Sequence, residues 1–143
     1  MSRYRPSLLL LCIALQGCAG PNPDVTGSGS QLAVRQLQTR YYDTLDKQMT
    51  MRSVVATLQD LGFTIDTADA TLGTITATRI YNESDYEIYT MRMTLTVREN
   101  EGERVSVRAN ARLNDASVSD PLTYQDFFSA LDKAMFLTLQ KVD

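Results

Sequence analysis

Two stretches of strict alternation constrain this chain more than anything else in it. In the first, Tyr89, Met91, Met93, Leu95 and Val97 interleave with Thr90, Arg92, Thr94, Thr96 and Arg98; in the second, Val105, Val107, Ala109, Ala111 and Leu113 interleave with Arg104, Ser106, Arg108, Asn110 and Arg112. Successive side chains of a strand point to opposite faces, so a period of two specifies a strand with one apolar and one polar side. Both runs put their apolar residues at odd positions, so residues paired in a hairpin with a common apolar face must sum to an even number. A three-residue loop of Asn100, Glu101 and Gly102, with Gly102 left-handed, meets that condition. It pairs Glu99 with Glu103, Val97 with Val105 and Leu95 with Val107, and it sets Arg98 opposite Arg104 on the polar face.

An apolar sheet face needs a cover, and two helical stripes supply it. Met51, Val54, Val55, Leu58 and Leu61 recur at helical spacing, with Asp43 or Asp46 placed to cap the start. Gly62 suits the left-handed position beyond the last turn, and Phe63 then packs on Leu58 as in a Schellman motif. Asp120 followed by Pro121 starts a second helix, along which Tyr124, Phe127, Phe128, Leu131, Ala134, Met135 and Leu139 form a broad stripe. Residues 32–42 read as a first strand, with Leu37, Thr39 and Tyr41 on one side and Gln36, Gln38 and Arg40 on the other. Phe63 and Ile65 begin another strand, 68–73 a turn, 74–81 a further strand and 82–85 a polar connection. The order β-α-β-β-β-β-α predicts an α+β fold, an antiparallel β-sheet with two helices packed on one face.

The N-terminus carries an address rather than a fold. Arg3 and Arg5 precede an apolar run over residues 7–15, too short to span a bilayer, which needs about 20 residues. The run ends in Leu15, Gln16, Gly17 and Cys18, a sequence that resembles the lipobox of bacterial lipoproteins. The resemblance implies a signal peptide over 1–17, cleavage between Gly17 and Cys18, a diacylglyceryl group on the Cys18 thiol and a further acyl chain, such as palmitate, on the new amino group. Several chains at about 0.8 kcal/mol per buried methylene make such an anchor effectively permanent. Ala19 follows the cysteine where Asp would retain the protein at the inner membrane, so the family's sorting rule implies the outer membrane, facing the periplasm. Residues 18–31 then comprise the lipidated cysteine and a flexible tether rich in Gly, Pro and Ser, with a reach of roughly 20 Å, and 32–143 a single α+β domain.

Composition narrows the chemistry. Cys12 leaves with the signal and Cys18 is acylated, so no disulfide forms within one mature chain. The formal charge of -3 becomes more negative once Arg3 and Arg5 are removed, which argues against nucleic acid as a partner. There is no histidine, the commonest general base and metal ligand. Asp66 and Asp69 flank a turn, and Glu83, Asp85 and Glu87 lie in a connection, neither group with the spacing of a calcium loop. Lys47, Lys133 and Lys141 sit in no recognisable serine–lysine motif. These features predict a protein that is not an enzyme, with no metal and no cofactor.

The polar face of the last hairpin is the candidate interaction surface. Arg92, Arg98, Arg104, Arg108 and Arg112 project from one side, interleaved with Thr and Ser. Like charges placed opposite one another are unfavourable unless an anion lies between them, which points to an acidic partner. The blander reading, the commoner one for exposed arginines, is a solvated face whose cations pair with Glu87, Glu99 or nearby Asp residues.

The segments LQTRYYDT, VVATLQDLGFTIDTADATLGTITATR and YQDFFSALDKAMFL resemble a group of small Gram-negative lipoproteins of undetermined function. The helix placement also loosely resembles the helix-grip domains of an accessory lipoprotein of the outer-membrane β-barrel assembly machine. Neither resemblance brings a catalytic or binding residue with it. Together these readings predict a non-catalytic, lipid-anchored module on the periplasmic side of the outer membrane that binds another envelope component, first of all a protein. The alternative is a binder or carrier of lipid or lipopolysaccharide, which would need an apolar cavity between sheet and helices, with small Ala109 and Ala111 opposite Met91 and Met93 leaving room for one. A peptidoglycan hydrolase or its regulator ranks third, because the acid–base groups are missing.

Overall fold

A computed structural model describes residues 26–84, 87–102 and 104–140. The stretch that resembles a lipobox, the expected signal segment and the first part of the expected tether lie outside the described residues, as does Glu103. The elements are α1 (Thr26–Leu37), β1 (Thr39–Tyr42), α2 (Lys47–Asp60), β2 (Thr64–Asp69), β3 (Thr74–Ser84), β4 (Glu87–Asn100), β5 (Arg104–Leu113), β6 (Ala116–Ser117) and α3 (Pro121–Gln140). The strands form one antiparallel sheet in the order β1-β5-β4-β3-β2, with β6 added beside β5. The α+β class with helices on the sheet therefore holds.

The alternation does what the sequence requires of it. Ile75, Leu95, Val97, Val105, Val107, Ala109 and Ala111 are fully buried, and the even positions between them face solvent. The helices collect on the odd side: α2 rests on β2 and β4, α3 packs against α2, and α1 touches α3 and β1. Tyr124, Phe127 and Phe128 from α3 are each 1% exposed, and Phe127 meets Phe128 edge to face with ring centroids 5.1 Å apart. Their bulk occupies the side of the sheet where Ala109 and Ala111 leave room.

The cap and stop of α2 follow from its sequence. Asp46, not Asp43, is the N-cap, its Oδ1 accepting from the Met49 N–H at 2.7 Å. At the other end the Phe63 N–H donates to Leu58 O and the Gly62 N–H to Gln59 O, both at 2.9 Å, with Gly62 at φ +82. This is the Schellman pair of bonds. Arg79 Nη1 adds a bond to Leu61 O at 2.7 Å, placing a cation at the negative end of the helix.

Three expectations need correction. Residues 32–37 belong to α1 and not to a first strand, and the described end of the tether, from Thr26, is also in that helix. Leu32, Ala33, Arg35, Gln36 and Leu37 are good helix formers, and half-buried Val34 and Leu37 lie one turn apart, a spacing that outweighs the brief alternation ahead of β1. The hairpin register is displaced by two: Val97 faces Val107, Leu95 faces Ala109, and Asn100 faces Arg104. Both registers keep the same faces, so patterning could not choose between them. Asn100 decides it, since its Nδ2 donates to Ser106 Oγ at 2.7 Å and to Arg98 O at 3.1 Å, extending the ladder before Gly102 turns at φ +87. Thirdly, 82–84 and Glu87 are strand rather than connection, so β3 and β4 run on as a two-stranded arm past the start of β2.

One hydroxyl closes the far edge of the sheet. β1 covers β5 only as far as Arg108, and β6 begins again at Arg112. Between them the Ala109 N–H donates to Gln38 O at 2.8 Å, and the Ala111 N–H donates to Tyr124 Oη at 3.3 Å. Tyr124 Oη also accepts from Gln38 Nε2 at 3.0 Å and donates to Val118 O at 2.7 Å, so its one proton and both lone pairs are used.

Tyr124→Phe removes only that oxygen and strands a buried amide beside a buried N–H. The expected loss is about 1–3 kcal/mol, read as a lower urea midpoint with an unchanged slope. Gly73 sits at φ +70 with Val97 O only 2.2 Å from where a Cβ would stand, whereas Gly102 has nothing within 4 Å. Gly73→Ala is therefore expected to destabilise well beyond the conformational penalty of about 1–2 kcal/mol that Gly102→Ala incurs, and the two unfolding midpoints measured side by side test this.

Candidate functional site

The even-numbered face is a grid set by register. Across the strands, Thr64, Thr78, Arg92, Arg112 and Ser117 form one row; Thr67, Thr76, Thr94 and Asn110 form the next; Asp69, Thr74, Thr96, Arg108 and Thr39 the third. Arg98, Ser106 and Tyr41 follow, and Arg104 opposite Asn100 ends the series. Hydroxyls and guanidiniums dominate; α2 and α3 pack on the opposite side, while Gln31, Val34 and Arg35 of α1 line a hollow with Arg108.

The structure brings all five predicted arginines to this face, each exposed, with one change of partners. Arg98 stands opposite Ser106 and not Arg104, so the like-charge pair expected there does not form. A different one does: Arg92 and Arg112 are direct cross-strand partners. Two of the five have fixed neighbours. Arg104 lies over the Tyr41 ring at 5.5 Å, and Arg112 Nη2 donates to Asp115 O at 2.5 Å. Among the described residues the only ion pair is Arg40 with Asp132, on the helix side, so no arginine of the face is neutralised there. Glu99 sits opposite Val105 on the other face, and the Glu87 side chain lies outside what is described. The nearest carboxylates on the grid are engaged: Asp66 Oδ2 accepts from Thr78 Oγ1 at 2.6 Å and Asp69 Oδ1 from the Leu72 N–H at 2.8 Å.

A second feature lies where the sequence predicts a polar connection over 82–85 and the structure instead extends β3 to Ser84. The arm presents Ile80 and Ile88, each 66% exposed, on the even side, and the Tyr81–Tyr89 cross-strand pair on the odd side. Tyr81, Asn82, Tyr89, Met91 and Leu113 line an open cleft of about 480 Å³. A smaller hollow of about 160 Å³ adjoins it through Tyr81 and Met91 and reaches Leu61, Phe63 and Phe127, with Arg79 and Asp126 in its wall. The alternation of Ile80 and Ile88 with Tyr81 and Tyr89 was the available signal.

The remaining ionisable cluster joins β1 to α3. Tyr42 Oη donates to Asp132 Oδ1 at 2.9 Å, beside the Arg40–Asp132 pair, and Arg40 lies 5.1 Å over the Phe128 ring. Burial, and then the hydrogen bond to the Asp132 carboxylate, push the Tyr42 phenol far above its ordinary value of 10.0. Among the described residues no group of three metal-ligating side chains comes together, and no helix is long and apolar enough to cross a membrane. Compared with known proteins, the chain matches no family model and no curated protein. The likeness to small lipoproteins therefore stands on its quoted segments alone, and the likeness to helix-grip domains on helix placement alone.

Because the fold holds the Tyr42 proton more tightly than the unfolded chain does, its contribution to stability is complete below pH 10.0 and is lost as the pH rises beyond that value. Alkaline unfolding of the wild type is expected to show this falling limb above pH 10.0, and Tyr42→Phe is expected to flatten it, with urea midpoints at stepped pH as the measurement.

Proposed function

We propose that this protein is a non-catalytic outer-membrane lipoprotein, anchored through Cys18 and facing the periplasm, that binds an acidic surface of another envelope protein with the even-numbered face of its sheet. The observation that carries the binding reading is the set of Arg92, Arg98, Arg104, Arg108 and Arg112, exposed on the face away from α2 and α3 and without an ion pair among the described residues, in a chain of net charge -3. Guanidiniums form bidentate, charge-assisted bonds with carboxylates, and the surrounding hydroxyls add donors and acceptors without apolar bulk. The anchor rests on the lipobox resemblance, and the non-catalytic reading on the lack of histidine and of any recognisable catalytic motif. The lipid or lipopolysaccharide alternative draws support from the cleft beside Tyr81, Tyr89, Met91 and Leu113, which offers apolar lining at the end of the sheet.

Photocrosslinking in living cells tests the reading, with a probe placed in turn at Thr94, Arg104, Arg108 and Arg112 on the face and at Asp60 and Lys133 on the helices. A discrete protein adduct from the face positions alone is the expected result. Adducts from the helix positions alone would overturn it, and lipid adducts from a further probe at Asn82, in the lining of the cleft, would favour the alternative. In parallel, cells fed radiolabelled palmitate are expected to label the wild type and not Cys18→Ser, and equal labelling of the two would contradict the anchor.

A further inference from the structure

Within the face, Arg92 and Arg112 differ from the other three arginines. They occupy directly opposed positions on β4 and β5, which places their Cβ atoms about 5 Å apart, and both point to the same solvent-facing side. Two like charges so placed destabilise the hairpin that carries them. Their row is otherwise built of hydroxyls, Thr78 beside Arg92 and Ser117 beside Arg112. Thr78 is turned toward Asp66, and Asp115 offers Arg112 its main-chain carbonyl. The carbonyl bond fixes one guanidinium without neutralising it, and no ion pair forms at either arginine among the described residues.

An anion that relieves this repulsion must match two charges at once. A carboxylate carries one, and its two oxygens are satisfied by a single guanidinium fork. A phosphate monoester carries about -1.5 to -2 charges at pH 7 and three acceptor oxygens, enough to bridge both forks. We propose that Arg92 and Arg112 form a clamp for a phosphate monoester. The inference rests on the even-numbered face being the binding surface, and it adds the ligand chemistry of one row of that face. The other arginines do not share the geometry: Arg98 and Arg108 face Ser106 and Thr96, and Arg104 stands opposite Asn100 and over Tyr41.

The test follows thermal unfolding of the full-length lipidated protein in neutral detergent micelles at fixed ionic strength. Glycerol 3-phosphate is the monoester, dimethyl phosphate the singly charged diester, and inorganic phosphate the free anion. The monoester is expected to raise the midpoint with half-saturation at a concentration at least tenfold below that of the diester. Arg92→Gln and Arg112→Gln are each expected to weaken that response at least tenfold while raising the midpoint without ligand, because the opposed charge is gone. Arg52→Gln, exposed on α2 and away from the face, keeps the response and controls for a general loss of positive charge. Inorganic phosphate acting as well as the ester assigns the clamp to the free anion, and a preference for the ester assigns it to an esterified headgroup or sugar; both uphold it. Equal responses in the wild type and the two clamp variants, or a diester as effective as the monoester, would overturn the clamp. Face-specific protein adducts persisting in cells alongside that failure would leave the broader binding surface standing.

Discussion

The Tyr124 hydroxyl is the contact on which the arrangement of layers depends. It takes protons from Gln38 and from the main chain of Ala111 and gives its own to Val118, joining the approach to β1, the open stretch of β5 and the loop into α3. The bond to Ala111 ties the first turn of α3 to β5, and Phe127 and Phe128 follow it into the core that Ala109 and Ala111 share. Once that ring volume is committed to the odd face, the helix layer has no reason to occupy the other side. The vacancy on which any binding function draws is thus a consequence of packing on the opposite surface.

That vacancy is protected as well as open. A solvent-facing sheet with an apolar outer side would associate without selectivity, whereas Thr, Ser, Asn and Arg on alternate positions keep it soluble and give it donors at regular intervals. The β2 edge is guarded in its own way. Its register breaks between Ile65 and Thr67, with Asp66 at the break and Asp69 at the end of the strand, a combination that discourages strand addition. The two-stranded arm is the exception, since a ribbon of this kind is marginal in water by itself and here carries apolar side chains on both faces.

Much of this was readable from residue order because the decisive signals are local. The odd-numbered core of β4 and β5, the Asp120–Pro121 start of α3 and the Gly62 stop of α2 each follow from a few adjacent residues and a known conformational demand. What could not be read depended on distant partners or on degenerate choices. Residues 32–37 alternate just enough to suggest a strand, and their docking on α3 and β1 adds to the helical propensity and spacing that decide for the helix. The hairpin offset was degenerate, because a shift of two leaves every side chain on its face; the Asn100 side chain broke the tie. The same shift decided the site, exchanging an expected Arg98–Arg104 opposition for the observed Arg92–Arg112 one. Alternation places all five arginines on one face, and the register decides which two are neighbours.

The central claim is that the even-numbered face is bare in the isolated domain and covered in the cell. Thr94 lies near its middle, exposed, and on the lipobox reading the mature chain has no other free thiol, so Thr94→Cys provides a single reporter. Maleimide labelling of that thiol should be fast in the purified protein and strongly slowed in intact envelopes, while Asp60→Cys on α2 labels equally in both. Equal labelling of both positions in the two settings would contradict the account.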